Sequence, residues 1–287
     1  TYTNTEYIPQ NEGSFRPVKV TAPLGCIFNP IAPAACEARF NQIQRIVDLI
    51  IKALAPVLPD KCTAGNAACL SFASYSGVRD TGDYWVLIEV NEASMGGRPK
   101  SDGPDTIEEL MRNTRNNPLE DLGMHLPVIC DRYEIRDDVF PGAGEFRGGM
   151  GVVKSQRFLV PGFMTHESDR NEDVPWGIFG GGEGVTAAVR MHNHTKDTPP
   201  IDVPAKISGL RAEAGDVITY LSPGGGGYGP SLKRDPNKVL DDLLDGYITP
   251  DHARDVYGVV VKPVTNGYQW GLDLPATAKL RASLTMA

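Results

Sequence analysis

No run of eighteen apolar residues occurs in the sequence, so no membrane-spanning helix is expected. No basic run with interleaved aromatics occurs either, and the net charge is −8. Nucleic acid needs a basic face for its phosphates, so no nucleic-acid partner is expected. The start, TYTNTEYIPQ, lacks a basic n-region and an apolar h-region and does not read as a secretory signal. Cysteine is scarce: five residues, at 26, 36, 62, 69 and 130, widely spaced and without a CxxC pair. They read as reduced thiols of a cytoplasmic protein, most of them core filler.

Several catalytic signatures are missing as well. No GxSxG nucleophile elbow and no HExxH zinc motif are present. A phosphate loop of the GxxxxGK[ST] type fails, because PSLK follows the glycines of SPGGGGYG. A dinucleotide fingerprint fails too. The strand VITYL precedes those glycines, but Pro230 and a helix delayed to residue 236 break the tight strand–turn–helix geometry. His192 and His194 in MHNHT would share one face of a strand, yet no carboxylate at ligand spacing joins them. They read as edge-strand surface residues. His252 reads as solvated, and His125 and His166 carry no signal of their own.

What is present is a loop-rich globular composition. The 287 residues include 31 glycines and 23 prolines, with 41% hydrophobic and 22% charged residues. FRPVKV at 15–20 suggests a short edge strand. In EARFNQIQRIVDLIIKAL, residues Phe40, Ile43, Ile46, Val47, Ile50 and Leu54 recur at spacings of three and four, which predicts an amphipathic helix ended by Pro56 and Pro59. YWVLIEV at 84–90 predicts a strand, and TIEELM one or two helical turns. From 127 to about 221 the texture turns to short strands: VICDRYEI, GVVKSQRFLV, VTAAVRM and VITYL, split by glycine-rich turns. Asp235-Pro236 and Thr249-Pro250 open two helices that Gly246 and Gly258 close. A hairpin turning at Asn266-Gly267 and a short helix, ATAKLRASL, follow. The expected class is α+β: an N-terminal helix/strand layer (1–125), then a β-rich segment with C-terminal helices (126–287). The centre is an antiparallel sandwich or barrel-like layer. The two segments read as one integrated portion of a larger subunit.

The loop NTRNNPLEDLGMH gathers polar groups around a proline, the kind of place where side chains converge on a ligand. Arg115 could grip a carboxylate or phosphate with two hydrogen bonds. From the pattern alone, the first reading is a helix C-terminus followed by a plain polar turn.

An ordered set of segments resembles a known family. In sequence these are YIPQNEGSFRPVKVTAPLGCIFNP, GGRPKSDGPD, NTRNNPLEDLGMHLP, RYEIRDD with GAGEFRGGMGVV, PWGIFGG, SPGGGGYG with RDPNKVLDDLLDGYIT, and ARDVYGVVV. Together they resemble the hydantoinase B/oxoprolinase group. The group includes B-type subunits of N-methylhydantoinase, 5-oxoprolinase and the acetone and acetophenone carboxylases. The resemblance implies the C-terminal portion of such a subunit. The His and Asp metal ligands would then lie on an upstream half, so any divalent metal is bound outside this chain and no metal ligand is assigned within it. It implies an A-type partner subunit carrying ATP and Mg, which phosphorylates a substrate oxygen. Water then opens a cyclic amide, or an activated ketone enol joins activated bicarbonate. The chain departs from the hydantoinase pattern at DDVFPGAG, at Gly123 and at GGGGYGPS. FMTHESDRNEDVPWGIFGG is closer to the carboxylases. On that likeness the first expectation is a ketone carboxylase subunit; the alternatives are an ATP-dependent cyclic-amide hydrolase or a non-catalytic scaffold of such a complex. The site residues expected are Asn113, Thr114, Arg115 and Glu120 as catalytic. Arg115 would stabilise developing negative charge, and Glu120 would orient or accept a proton. Gly224, Gly225, Gly226 and Gly227 would face the intermediate as backbone donors.

Overall fold

The computed structural model describes residues 11–36, 39–67, 71–107, 114–193, 195–196, 199–264 and 270–285. It is α+β, built on two antiparallel sheets. One sheet has the order β2-β1-β5-β8, with β1 (Ser71–Val78), β2 (Tyr84–Asn91), β5 (Gly162–Glu167) and β8 (Lys206–Ala212). The other has the order β3-β4-β9-β6-β7, with β3 (Val128–Ile135), β4 (Val152–Phe158), β6 (Ala188–Asn193), β7 (Ile201–Asp202) and β9 (Asp216–Leu221). Their inner faces share one core. Tyr75, Trp85, Leu87 and Met164 from the first sheet meet Val128, Phe158, Val189, Ile218 and Tyr220 from the second. The arrangement is a sandwich; the described strands form no closed barrel. The first sheet joins strands from both sides of residue 125.

The helical elements are α1 (Arg39–Leu54), α2 (Leu119–His125), α3 (Pro236–Leu244), α4 (Pro250–Tyr257) and α5 (Leu274–Thr285). The caps expected at the C-terminal end form: the Asp235 side chain accepts from the Asn237 amide, and the Thr249 side chain from the His252 amide. Both helices begin with proline, whose missing N–H would have had no partner there. They close a second core around Val239, Leu243, Ile248, Tyr257 and Val259. β10 (Val261–Pro263) and β11 (Trp270–Leu272) pair as the expected hairpin arms. The Asn266-Gly267 turn lies outside the described residues, as do residues 108–111 of TIEELM.

Four local expectations are corrected. FRPVKV forms no strand: Glu12–Phe15 is a 3₁₀ turn, and Pro17 follows where a ladder would need an amide. Helix α1 forms, but most of its apolar stripe faces outward; only Ile46 and Val47 are half-buried, Val47 against Ile51, Ala55 and Cys62. Phe40, Ile43, Ile50 and Leu54 are exposed, while Asn41, Gln44, Asp48 and Ile51 are buried. Arg170 is the reason: its guanidinium bonds Asp48 at 2.8 Å and three backbone carbonyls, so the polar face has the anchored partner. His252 is not solvated; it lies 4.1 Å from Phe140 between ring centroids and 5.7 Å from Tyr257, and burial lowers its pKa. Of the four described cysteines only Cys62 is fully buried, and Cys36 is exposed.

Candidate functional site

The polar loop of the sequence sits at the mouth of a chain of buried groups. Pro118 ends the extended segment and starts α2. Thr114, Arg115 and Glu120 are exposed, and Asn113 lies outside the described residues. Between them, the Asn116 Nδ2 donates to the Tyr133 hydroxyl at 2.6 Å. That hydroxyl donates onward to Glu92 Oε2 at 2.8 Å. Tyr133 is 37% exposed, whereas Glu92 is buried just past the end of β2. Burial first, and then the Glu92 carboxylate, raise the Tyr133 pKa far above the ordinary phenol range, so the proton stays on the hydroxyl.

A second pair lies beside this chain. Lys154 is the cross-strand neighbour of Tyr133, and its Nζ stands 5.0 Å from the ring centre of that tyrosine. The same ammonium donates to Glu89 Oε1 at 3.2 Å. The Gln156 amide donates to the other Glu89 oxygen. Behind them, the Tyr75 and Tyr220 hydroxyls meet at 2.6 Å between the sheets. One hydrogen-bonded chain therefore runs from surface Asn116 through Tyr133 to buried Glu92, and the Lys154–Glu89–Gln156 group packs beside it. Together they offer a phenol held protonated, two buried carboxylates and one buried ammonium. Such a set can hold the loop in place and orient a polar ligand there. Sequence reasoning did not single out Tyr133, Glu89, Glu92, Lys154 or Gln156. A signal existed: period two puts Glu89 on the same strand face as Trp85 and Leu87, and Lys154 on the same face as Gln156. Charges on the inward face of a strand require partners.

The glycine run lies elsewhere and does something different. Residues 224–228 thread the middle of a bundle of extended, glycine-rich segments. Gly225 donates to the Gly149 carbonyl, Gly226 to Gly65 and Gly227 to Gly182. Their own carbonyls accept from Gly142, Gly97 and Ile178. The backbones approach so closely that side chains are excluded. A Cβ on Gly148 would fall 1.9 Å from the Gly225 oxygen, and one on Gly225 would fall 2.2 Å from the Met95 oxygen. Amides already bonded inside the protein do not fit a nucleotide or oxyanion cradle.

An ion network clamps this bundle to α3. Arg147 bonds Asp105 at 2.8 Å and Asp242 at 2.9 Å; Arg234 bonds Asp242 at 2.7 Å and reaches Asp102. Arg234 is 1% exposed. Burial raises the Asp242 pKa despite both arginines. Asp102 lies at the rim. Burial pushes its pKa up as well, but the hydrogen bond and charge of Arg234, with Arg147 and Lys238 nearby, together hold it below the ordinary range. The segments GGRPKSDGPD, GAGEFRGGMGVV, PWGIFGG, SPGGGGYG and RDPNKVLDD all converge on this bundle and its clamp.

Among the described residues no three His, Cys, Asp or Glu side chains are placed to hold a metal ion. His192 stands part-buried on β6, His194 lies outside the described residues, and His125 pairs with Asp121 on the exposed face of α2. No described helix is long and apolar enough to cross a membrane.

A proposed B-type subunit of the D-/L-hydantoinase of Pseudomonas sp. (strain NS671) is 41% identical over 255 residues, covering 88% of this chain and 42% of that protein. The crystal structure of the ATP-dependent caprolactamase from Pseudomonas jessenii superposes on 92% of this chain and 46% of its own, with a TM-score of 0.75 at 24% identity. The nucleotide-free structure of acetone carboxylase, from work on ATP-dependent acetone carboxylation, matches 79% of this chain and 34% of its own, with a TM-score of 0.64 at 20% identity. At those identities the two structures establish a shared fold. The chain spans about half the length of three curated relatives it matches and under a fifth of the 5-oxoprolinases among them. The model of the hydantoinase B/oxoprolinase family matches residues 2–231, and the chain belongs to that family.

Proposed function

We propose that this chain forms part of the B-type subunit of an ATP-dependent enzyme that opens a cyclic amide. The observation carrying this reading is the 41% identity to the Pseudomonas hydantoinase protein. It outweighs the general likeness of residues 163–181 to ketone carboxylases. Ketone carboxylation stays as a second reading because acetone carboxylase shares the fold. In either reaction ATP and Mg reside on an A-type partner subunit and supply a phosphorylated, activated substrate. This chain then receives the intermediate at the loop of Thr114, Arg115 and Glu120. Arg115 stabilises negative charge developing on oxygen. Glu120 orients or takes a proton from the attacking group. Tyr133 fixes Glu92 and Asn116 by hydrogen bonding and thereby sets the loop's position over the polar path.

The test uses the complex that copurifies with this chain. It is supplied with ATP and a panel of hydantoins and lactams, and ring opening is scored; a parallel arm supplies ketones and labelled bicarbonate. ATP-dependent ring opening supports the first reading. Label entering an acid-labile acid only with ketones overturns it in favour of carboxylation. If Arg115→Ala and Glu120→Ala both leave turnover intact, the chain is a scaffold and the chemistry lies elsewhere.

A further inference from the structure

The four-stranded sheet has an inner face in the core and an outer face with nothing on it among the described residues. An antiparallel sheet with one solvated face alternates apolar inside with polar outside. Strand β2 does not. Trp85 and Leu87 point inward and are buried, yet outward-facing Tyr84, Val86 and Ile88 are apolar and exposed at 70%, 45% and 55%. Strand register aligns them in rows. Ile88 lies opposite Ser74, which lies opposite Thr165; Val86 lies opposite Ser76, which lies opposite Phe163; Tyr84 lies opposite Val78. Val86, Ile88 and Phe163 thus stand around the small Ser74 and Ser76, and outward-facing Phe72 and Val78 extend the apolar surface at either end of β1. Open clefts of about 590 and 380 Å³ lie on this face, one over β1, β5 and β8 beside Phe72 and Lys206, the other beside Val78, Tyr84 and Phe163.

A strand that is apolar on both faces belongs in the middle layer of a three-layer stack. Obligate interfaces are the apolar ones; interfaces that open and close are more polar. The matched relatives carry as much protein again outside the region they share with this chain: the match covers 42%, 47% and 48% of three of them. We propose that the outer face of the four-stranded sheet is the seat of that remaining part of a family subunit. It would cover the apolar surface of Tyr84, Val86, Ile88 and Phe163 around Ser74 and Ser76. The inference rests on family membership and sheet geometry, and it stands whichever reaction is correct.

Carbene footprinting of this chain alone, and of the native assembly that copurifies with it, reads the face directly. The expected result is strong labelling of Tyr84, Ile88 and Phe163 in the isolated chain and at least fivefold protection in the assembly. Equal labelling in both overturns the proposal. Protection already present in the isolated chain and lost on dilution also overturns it, because a second copy would then be the occupant. The variant Val86→Lys/Ile88→Lys gives the second measurement. These positions face solvent in the isolated chain, so its melting temperature is expected to hold while the remaining part of the subunit no longer copurifies. Unchanged copurification with a folded variant refutes the assignment. Turnover is not read in either measurement, so an error about the substrate leaves both outcomes intact.

Discussion

Two polar systems in this molecule are built to opposite ends. The Arg147–Asp242–Arg234–Asp102 clamp is closed: its arginines are buried, bonded on several sides, and tied to segments far apart in sequence. The Asn116–Tyr133–Glu92 path is open: one end is on an exposed loop and the other is in the sandwich. The clamp gathers most of the family-like segments, and the path gathers few. Dense motifs here report how hard the backbone is to build. The chemistry is proposed where a buried chain of groups reaches the surface.

Substitutions should separate the two systems, and the closed region should show the larger effects. Gly148→Ala forces a methyl against the Gly225 carbonyl and is expected to cost at least about 4 kcal/mol, read as loss of soluble, cooperatively folding protein. A variant that melts like the parent would show that the bundle can expand. Arg234→Met leaves Asp242 and Asp102 short of a partner in a buried setting. A loss of about 3–5 kcal/mol by urea unfolding is expected.

His166 tests a buried ionisable group outside both systems. It packs 5.3 Å from Tyr220, and burial lowers its pKa to about 4. The fold therefore holds the neutral ring, while the unfolded chain takes up a proton near pH 6.5. Stability from this group is complete above pH 6.5 and falls as pH drops toward 4, by up to about 3 kcal/mol. His166→Leu should flatten that part of the pH–stability curve; parallel curves for parent and variant would contradict the assignment.

Tyr133→Phe is the test of the open path. Removing the hydroxyl leaves buried Glu92 without that donor, at a cost of about 1–3 kcal/mol. Turnover is expected to fall by about 10²-fold, the scale of a misplaced active-site loop. Lost stability with unchanged turnover would make the path as structural as the clamp. Gly123→Ala gives the smallest change. Nothing lies within 4 Å of the added methyl on α2, so a gain of about 0.5–1 kcal/mol in thermal unfolding is expected.

Local pattern made much of the fold legible. YWVLIEV, VICDRYEI and VITYL announced β2, β3 and β9 through β-branched and aromatic content, and the proline-led caps announced α3 and α4. Strands β1, β5 and β8 went unread. SFASYSGV, GFMTHE and KISGLRA are rich in small, polar or glycine residues, and only pairing with neighbours makes them strands. Helix α1 was legible as a helix but not in its orientation, because Asp48 meets Arg170 from 122 positions away. The site divides in the same way. The polar loop could be seen in composition, whereas Tyr133, Glu92 and Lys154 meet only through the register of β3 against β4 and the closure of the two sheets.

The glycine bundle also bears on how the chain is made. Its central strand, 224–228, supplies partners for segments near 65, 97, 142, 149 and 182. A ribosome delivers those segments first and their shared partner last. From Gly65 to Gly226 is roughly 160 residues, about 10–30 s of synthesis at ordinary elongation rates. Through that interval the early glycine segments can bond one another but lack their central partner, so the bundle is completed only late. Such a chain depends on its surroundings during birth more than its finished stability would suggest.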